Sequence, residues 1–153
     1  MRHERGFTLI ELMMAMAIIV IMATLAGPPM ASMIAAQRLR GVATDFHQSL
    51  LKARSEAIKR NTSVTVNPID GSWAAGWSIV DPANPSGQPL EQRTANGAVA
   101  VATSLTQIIY RGSGRITASS TPTFVFSASS TTESRCVSID PSGRPYGIKG
   151  STC

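Results

Sequence analysis

Cysteine is nearly absent from this 153-residue sequence: only Cys136 and Cys153 occur, and no CxxC is present. Histidine is equally scarce, with His3 and His47 alone. Neither lies near a cysteine in sequence, so the spacing of a metal site is missing. The cysteines are left as a disulfide or two free thiols, and export of the domain would make the disulfide the expected state. Catalytic signatures are missing as well. There is no G-x-S-x-G, no P-loop, no dinucleotide fingerprint and no carboxylate pair beside a plausible base, which leaves no constellation for acyl, phosphoryl or hydride transfer. The sequence therefore reads as a non-enzyme that needs no cofactor and no metal. His47, beside an apolar stripe, reads as a surface or packing residue.

Acidic residues are few. The net charge is +5, and from Pro28 onward 12 Lys and Arg face 7 Asp and Glu. That modest, dispersed excess tolerates an anionic partner without demanding one. The length supports one domain plus an anchor, since a domain usually takes roughly 100 to 200 residues.

What is present begins with a basic leader, Met1 to Gly6, carrying Arg2 and Arg5, followed by an apolar run from Leu9 to Ala26. As a helix, that run spans about 27 Å, close to the thickness of a bilayer core. The small residue stands before the run, and no A-x-A-like site after it precedes a soluble domain start. Cleavage at the leader would thus keep the run in the mature chain. Glu11 interrupts it, and an unpaired carboxylate in lipid loses several kcal/mol of hydration. Thr8 and Glu11 fit the S/T-x-x-E capping pattern, so the charge serves either a local cap or a partner outside the helix.

Beyond the run, Pro28 and Pro29 remove two amide donors and predict a bend in a helix that continues on both sides. From Met30 to about Lys59, residues Ile34, Val42, Phe46, Leu50, Ala53 and Ala57 form one apolar stripe that predicts packing against a sheet. Short β-type runs follow at 63–66, 77–80, 99–102, 107–111, 123–127 and 136–140, separated by turn-rich segments such as "DPANPSGQP" and "SASSTTES". Trp73 and Trp77, flanking Gly76, read as sheet or core packing.

The segment "GFTLIELMMAMAIIVIMA" resembles the signal and N-terminal helix of type IV pilins and type II secretion pseudopilins. The resemblance implies cleavage by prepilin peptidase after Gly6 and methylation of the new N-terminal Phe7. It also implies that Glu11 pairs with the N-terminal amine of a neighbouring subunit inside a fibre. "ARSEAIKRNTSVTV" and "AAGWSIV" are similar to the FimT/GspH branch. The implied fold is α+β, a type IV pilin fold with a long N-terminal helix, kinked near Pro28, on a small antiparallel β-sheet domain. Its expected parts are a cleaved leader (1–6), a transmembrane or fibre-core helix (7–27), an amphipathic helical part (28–60) and a β-rich globular domain (61–153).

Three functions follow from the resemblance. The chain is a minor pilin in the tip or priming complex of a type IV pilus, or a GspH-like minor pseudopilin of a type II secretion system. Either is anchored in the inner membrane with its globular domain in the periplasm, and has other pilin or pseudopilin subunits as partners. DNA binding for uptake is the third, because FimT-like pilins carry a C-terminal Gly-Arg-x-Arg element. Here "SGRPYGIKG" keeps Gly143 and Arg144 but has Tyr146 at the second Arg. Arg144 and Lys149 would contact phosphates and Tyr146 would stack on a base, with Arg111, Arg115 and Arg135 adding charge. The same residues also read as a plain turn, with Gly143 supplying a positive φ.

Overall fold

The computed structural model describes residues 7–153, apart from residues 96 and 119 and the side chains of residues 25–29. A single helix, α1 (Leu9–Arg60), carries eight strands: β1 (Val64–Ile69), β2 (Ser72–Ile79), β3 (Glu91–Thr94), β4 (Ala100–Ala102), β5 (Ile108–Tyr110), β6 (Thr123–Ser127), β7 (Ser134–Ile139) and β8 (Pro145–Lys149). They form two antiparallel four-stranded sheets, ordered β3-β2-β1-β5 and β4-β6-β7-β8. The α+β architecture matches the expected pilin fold.

At its start, α1 is capped by Thr8, whose hydroxyl accepts from the Glu11 amide at 3.3 Å while Glu11 Oε2 accepts from the Thr8 amide at 2.9 Å. It passes through residues 28 and 29 without a break and stops at Asn61, which adopts a left-handed conformation with φ 47°. The Thr62 amide then bonds back to the Ala57 carbonyl, satisfying the last turn.

The stripe that the helix buries is Leu39, Ala43, Phe46, Leu50, Ala53 and Ala57. This corrects the expected stripe at two positions. Ile34 is exposed, ahead of the first buried turn at Leu39, and Val42 sits at the margin of the stripe, half-buried. The observed spacing alternates four and three, keeping one side of the helix on the core.

Phe46 joins the layers. Its ring lies 5.7 Å from Trp73 and 5.0 Å from Trp77 of one sheet, and 4.8 Å from Phe124 and 5.4 Å from Phe126 of the other. Edge-on and tilted pairs at these separations add to the area they bury. Both tryptophans are therefore core residues. Two strands were not expected: β3, made of "EQRT", and β8, whose "PYGIK" read as part of a turn or DNA element.

Candidate functional sites

The first site is the free arm of α1. Every large apolar side chain from Phe7 to Met22 is at least 52% exposed, and Met30, Met33 and Ile34 continue that surface. Exposed apolar surface on this scale marks a contact with membrane or protein. Among the described residues no helix is long and apolar enough to cross a membrane; the run read from the sequence extends to Ala26, into residues 25–29, whose side chains lie outside the described ones. Gly6 lies outside the described residues. Phe7, the other residue of the expected cleavage point, is exposed. Glu11 Oε2 also accepts from the Thr8 hydroxyl at 3.0 Å. Both Thr8 bonds thus fall on one oxygen, and among the described residues Oε1 accepts none.

The second site is the turn joining β7 to β8. Asp140 accepts from Ser142 Oγ at 2.6 Å and from the Arg144 amide at 2.9 Å. Those two bonds, the Ser142 one foremost, hold its carboxyl below the usual range. Gly143 has φ 83°, and a Cβ there would stand 2.0 Å from the Gly114 carbonyl oxygen and 3.1 Å from Arg115 Cα. Only glycine fits. Arg54 reaches from α1 to fasten both loops, donating from Nε to Gly114 O at 3.1 Å and from Nη2 to Ser142 O at 3.2 Å. The Arg111 amide closes the other turn on Arg115 O at 2.8 Å. Backbone packing therefore gathers Arg111, Arg115 and Arg144 at one end of the domain, with all three side chains exposed.

Lys149 is elsewhere. It closes the five-residue strand β8, opposite Arg135, so roughly 16 Å of extended chain separates it from Arg144. Glu133 lies 3.8 Å from Lys149 and 3.9 Å from Arg135, and makes a paired contact with Arg40 through bonds of 3.1 and 2.6 Å. The Arg40 hydrogen bonds, first among several cationic influences, hold its carboxyl below the usual range. Tyr146 is half-buried opposite Ser138. Neither Arg54 as a clamp nor Glu133 as a hub was foreseen, because each acts across loops whose approach has no local signal.

Cys136 and Cys153 are joined by a disulfide, with Cα atoms 5.6 Å apart. Cys136 is buried in β7, so the bond ties residue 153 to the middle of the second sheet. Among the described residues, no three His, Cys, Asp or Glu side chains cluster as a metal site. His47 Nε2 stands 3.2 Å from the Pro145 carbonyl oxygen.

Residues 42–143 match the profile of the family described as type II transport protein GspH, and residues 1–27 match the prokaryotic N-terminal methylation motif. Comparison with curated protein sequences gives no match. In fold, the chain is similar to the type IV minor pilin FimU of Pseudomonas aeruginosa in two crystal forms. One aligns with TM-score 0.63 at 21% identity, covering 74% of this chain and 98% of that one. The other aligns with TM-score 0.63 at 20% identity, covering 77% and 96%.

Proposed function

The chain belongs to the GspH family of type II transport proteins, and on that premise we propose that it is a minor pilin, held in the inner membrane by α1 until it enters the tip or priming complex of a type IV pilus. Prepilin peptidase removes residues 1–6, and the new N-terminal Phe7 is methylated. The arm then leaves the bilayer for the apolar core of the fibre, where Glu11 meets the amine of a neighbour. The observation that carries this reading is the exposed apolar arm with a single carboxylate near its tip. Charges that are costly alone become a registered pair when they meet in an apolar core. Half of the Glu11 carboxylate is engaged by Thr8, leaving Oε1 for that partner.

The test separates the cap from the pair. Glu11→Ala should remain in the membrane fraction yet be absent from sheared fibres, whereas Thr8→Ala, which removes the cap hydroxyl and keeps the charge, should still enter fibres. Normal incorporation of Glu11→Ala overturns the pairing role.

The same chemistry serves a type II secretion pseudopilus, the reading favoured by the family's name; the likeness in fold to a minor pilin of a type IV pilus favours the first. DNA binding is supported by one observation, the three exposed arginines gathered at the turn of Gly143. Such a cluster contacts phosphates without reading bases.

A further inference from the structure

Among the described residues, the second sheet ends at β8, and one side of that strand has no neighbouring strand. Its hydrogen-bonding parity follows from two bonds in the turns. The Gly150 amide donates to Ser134 O at 3.0 Å and the Asp140 amide to Arg144 O at 3.0 Å. In an antiparallel ladder, pairs bonded to each other alternate with pairs whose polar groups point away. The residues numbered 144, 146, 148 and 150 therefore bond to β7, and Pro145, Gly147 and Lys149 turn their backbone groups outward. His47 takes the Pro145 carbonyl. Gly147 and Lys149 each present one N–H and one C=O to the open edge.

Beside that edge runs a groove of about 400 Å³ whose other wall is α1, lined by Arg40, Thr44, His47, Arg135, Gly147 and Ile148. It is open because Gly147 has no side chain. A Cβ there would meet nothing closer than 3.7 Å, so the gap is not needed to avoid a clash. Natural sheets usually blunt or cover a free edge; here α1 touches the start of β8 through His47 and Pro145, and the groove opens beside Gly147. An edge strand facing a helix across a groove is the arrangement that accepts an extended peptide as an extra strand.

The charge around the groove names the occupant. Arg40, Arg135 and Lys149 surround one carboxylate, Glu133, and its short bonds go to Arg40. Arg135 and Lys149 are held only at 3.9 and 3.8 Å, leaving an excess of positive charge at the Lys149 end of the edge.

We propose that β8 is a docking edge for an extended, acidic segment of a partner protein, which adds as a fifth strand along the open edge of β8 and places one side chain in the groove against α1. Side chains directly opposite in a ladder touch, so the segment's residue across from Gly147 is a bulky apolar one filling the groove, and the residue across from Lys149, two positions away, is acidic. The other face of the segment covers Ile148, which is 42% exposed.

The test uses the full chain in detergent micelles with its disulfide intact, and a labelled peptide of alternating threonines bearing isoleucine and glutamate two positions apart. Binding is followed by fluorescence anisotropy, and hydrogen exchange is read at Gly147 and Lys149. The peptide should bind, and should slow exchange of those two amides about tenfold or more, as new backbone hydrogen bonds require. Replacing its glutamate by lysine should weaken binding, and Lys149→Glu should reverse that preference. Gly147→Val, which fills the groove at a site with room for a side chain, should abolish binding while leaving the melting transition in place. Absence of binding, binding without protection of the two amides, or equal binding by Gly147→Val would each overturn the proposal.

Discussion

Gly143 packs against Gly114 so closely that a single added carbon would stand 2.0 Å from the Gly114 carbonyl oxygen. Two loops far apart in sequence are thereby in backbone contact, with the Arg54 guanidinium bonded to both. Gly143→Ala combines a positive φ with that clash and should destabilise the domain by about 1–3 kcal/mol. A thermal or urea melt of the full chain in micelles checks it; an unchanged midpoint would show that the two loops are not held together.

Phe46 packs against both sheets. Phe46→Ala should cost about 3–5 kcal/mol, the range for emptying a buried aromatic site. Phe46→Leu should lose much less. Comparing the two midpoints distinguishes lost volume from lost ring contacts.

Glu91 fixes β3 to the helix through Ser49 at 2.5 Å and Lys52 at 2.9 Å, with Arg93 at 3.3 Å. Burial alone would raise its carboxyl, but those hydrogen bonds outweigh burial and hold it below the usual range. A carboxyl lowered in the folded state stabilises fully above the unfolded value of about 4.3, and the benefit disappears as pH falls through the lower folded value. The gap between the melting points of wild type and Glu91→Gln should therefore be constant from neutral pH to about 5 and shrink below about 4. A gap that widened on acidification would contradict the assignment.

The polar chemistry of β3 and β8 explains why those strands were not legible in the sequence. "EQRT" alternates nothing apolar, because β3 is an edge strand tied to α1 through Glu91 rather than through buried side chains. "PYGIK" opens on proline and contains glycine, both turn signals, and both are tolerated at an edge. The arm and most of the strands were legible because each is written in local periodicity. The division into two sheets was not, since β5 completes the first sheet by pairing with β1 across some forty residues of chain. The nearness of Arg115 to Arg144 was expected for the DNA reading, but the contact between glycines that produces it has no local signal.

Loss of the Cys136–Cys153 bond should lower stability by roughly 3 kcal/mol in the loop-entropy account. Cys136→Ser with Cys153→Ser, compared with wild type before and after reduction, measures it. Alkylation of two thiols in unreduced protein would count against the bond.

If the turn of Gly143 meets DNA, Arg144→Ala should weaken binding to unrelated duplexes about equally, and affinity should fall as salt rises. Arg115→Ala should do the same, whereas Tyr146→Arg should strengthen binding. Anisotropy titrations at two salt concentrations decide this, and no binding by wild type at low salt would end the DNA reading.

Because Leu39 is the first buried residue of α1 among those described, the helix before it is a lever. Its length from Leu9 to Leu39 is about 45 Å, so a tilt of roughly 10° at the grip would swing the tip by about 8 Å, close to the distance between the axes of packed helices. On the proposed pairing, an error of that size would present Glu11 to the wrong neighbour. Phe46 between the sheets, Arg54 across two loops and Ser49 against Glu91 thus act as angular stops. Loosening any of them should blur the aim of a carboxylate tens of ångströms away before it unfolds the domain.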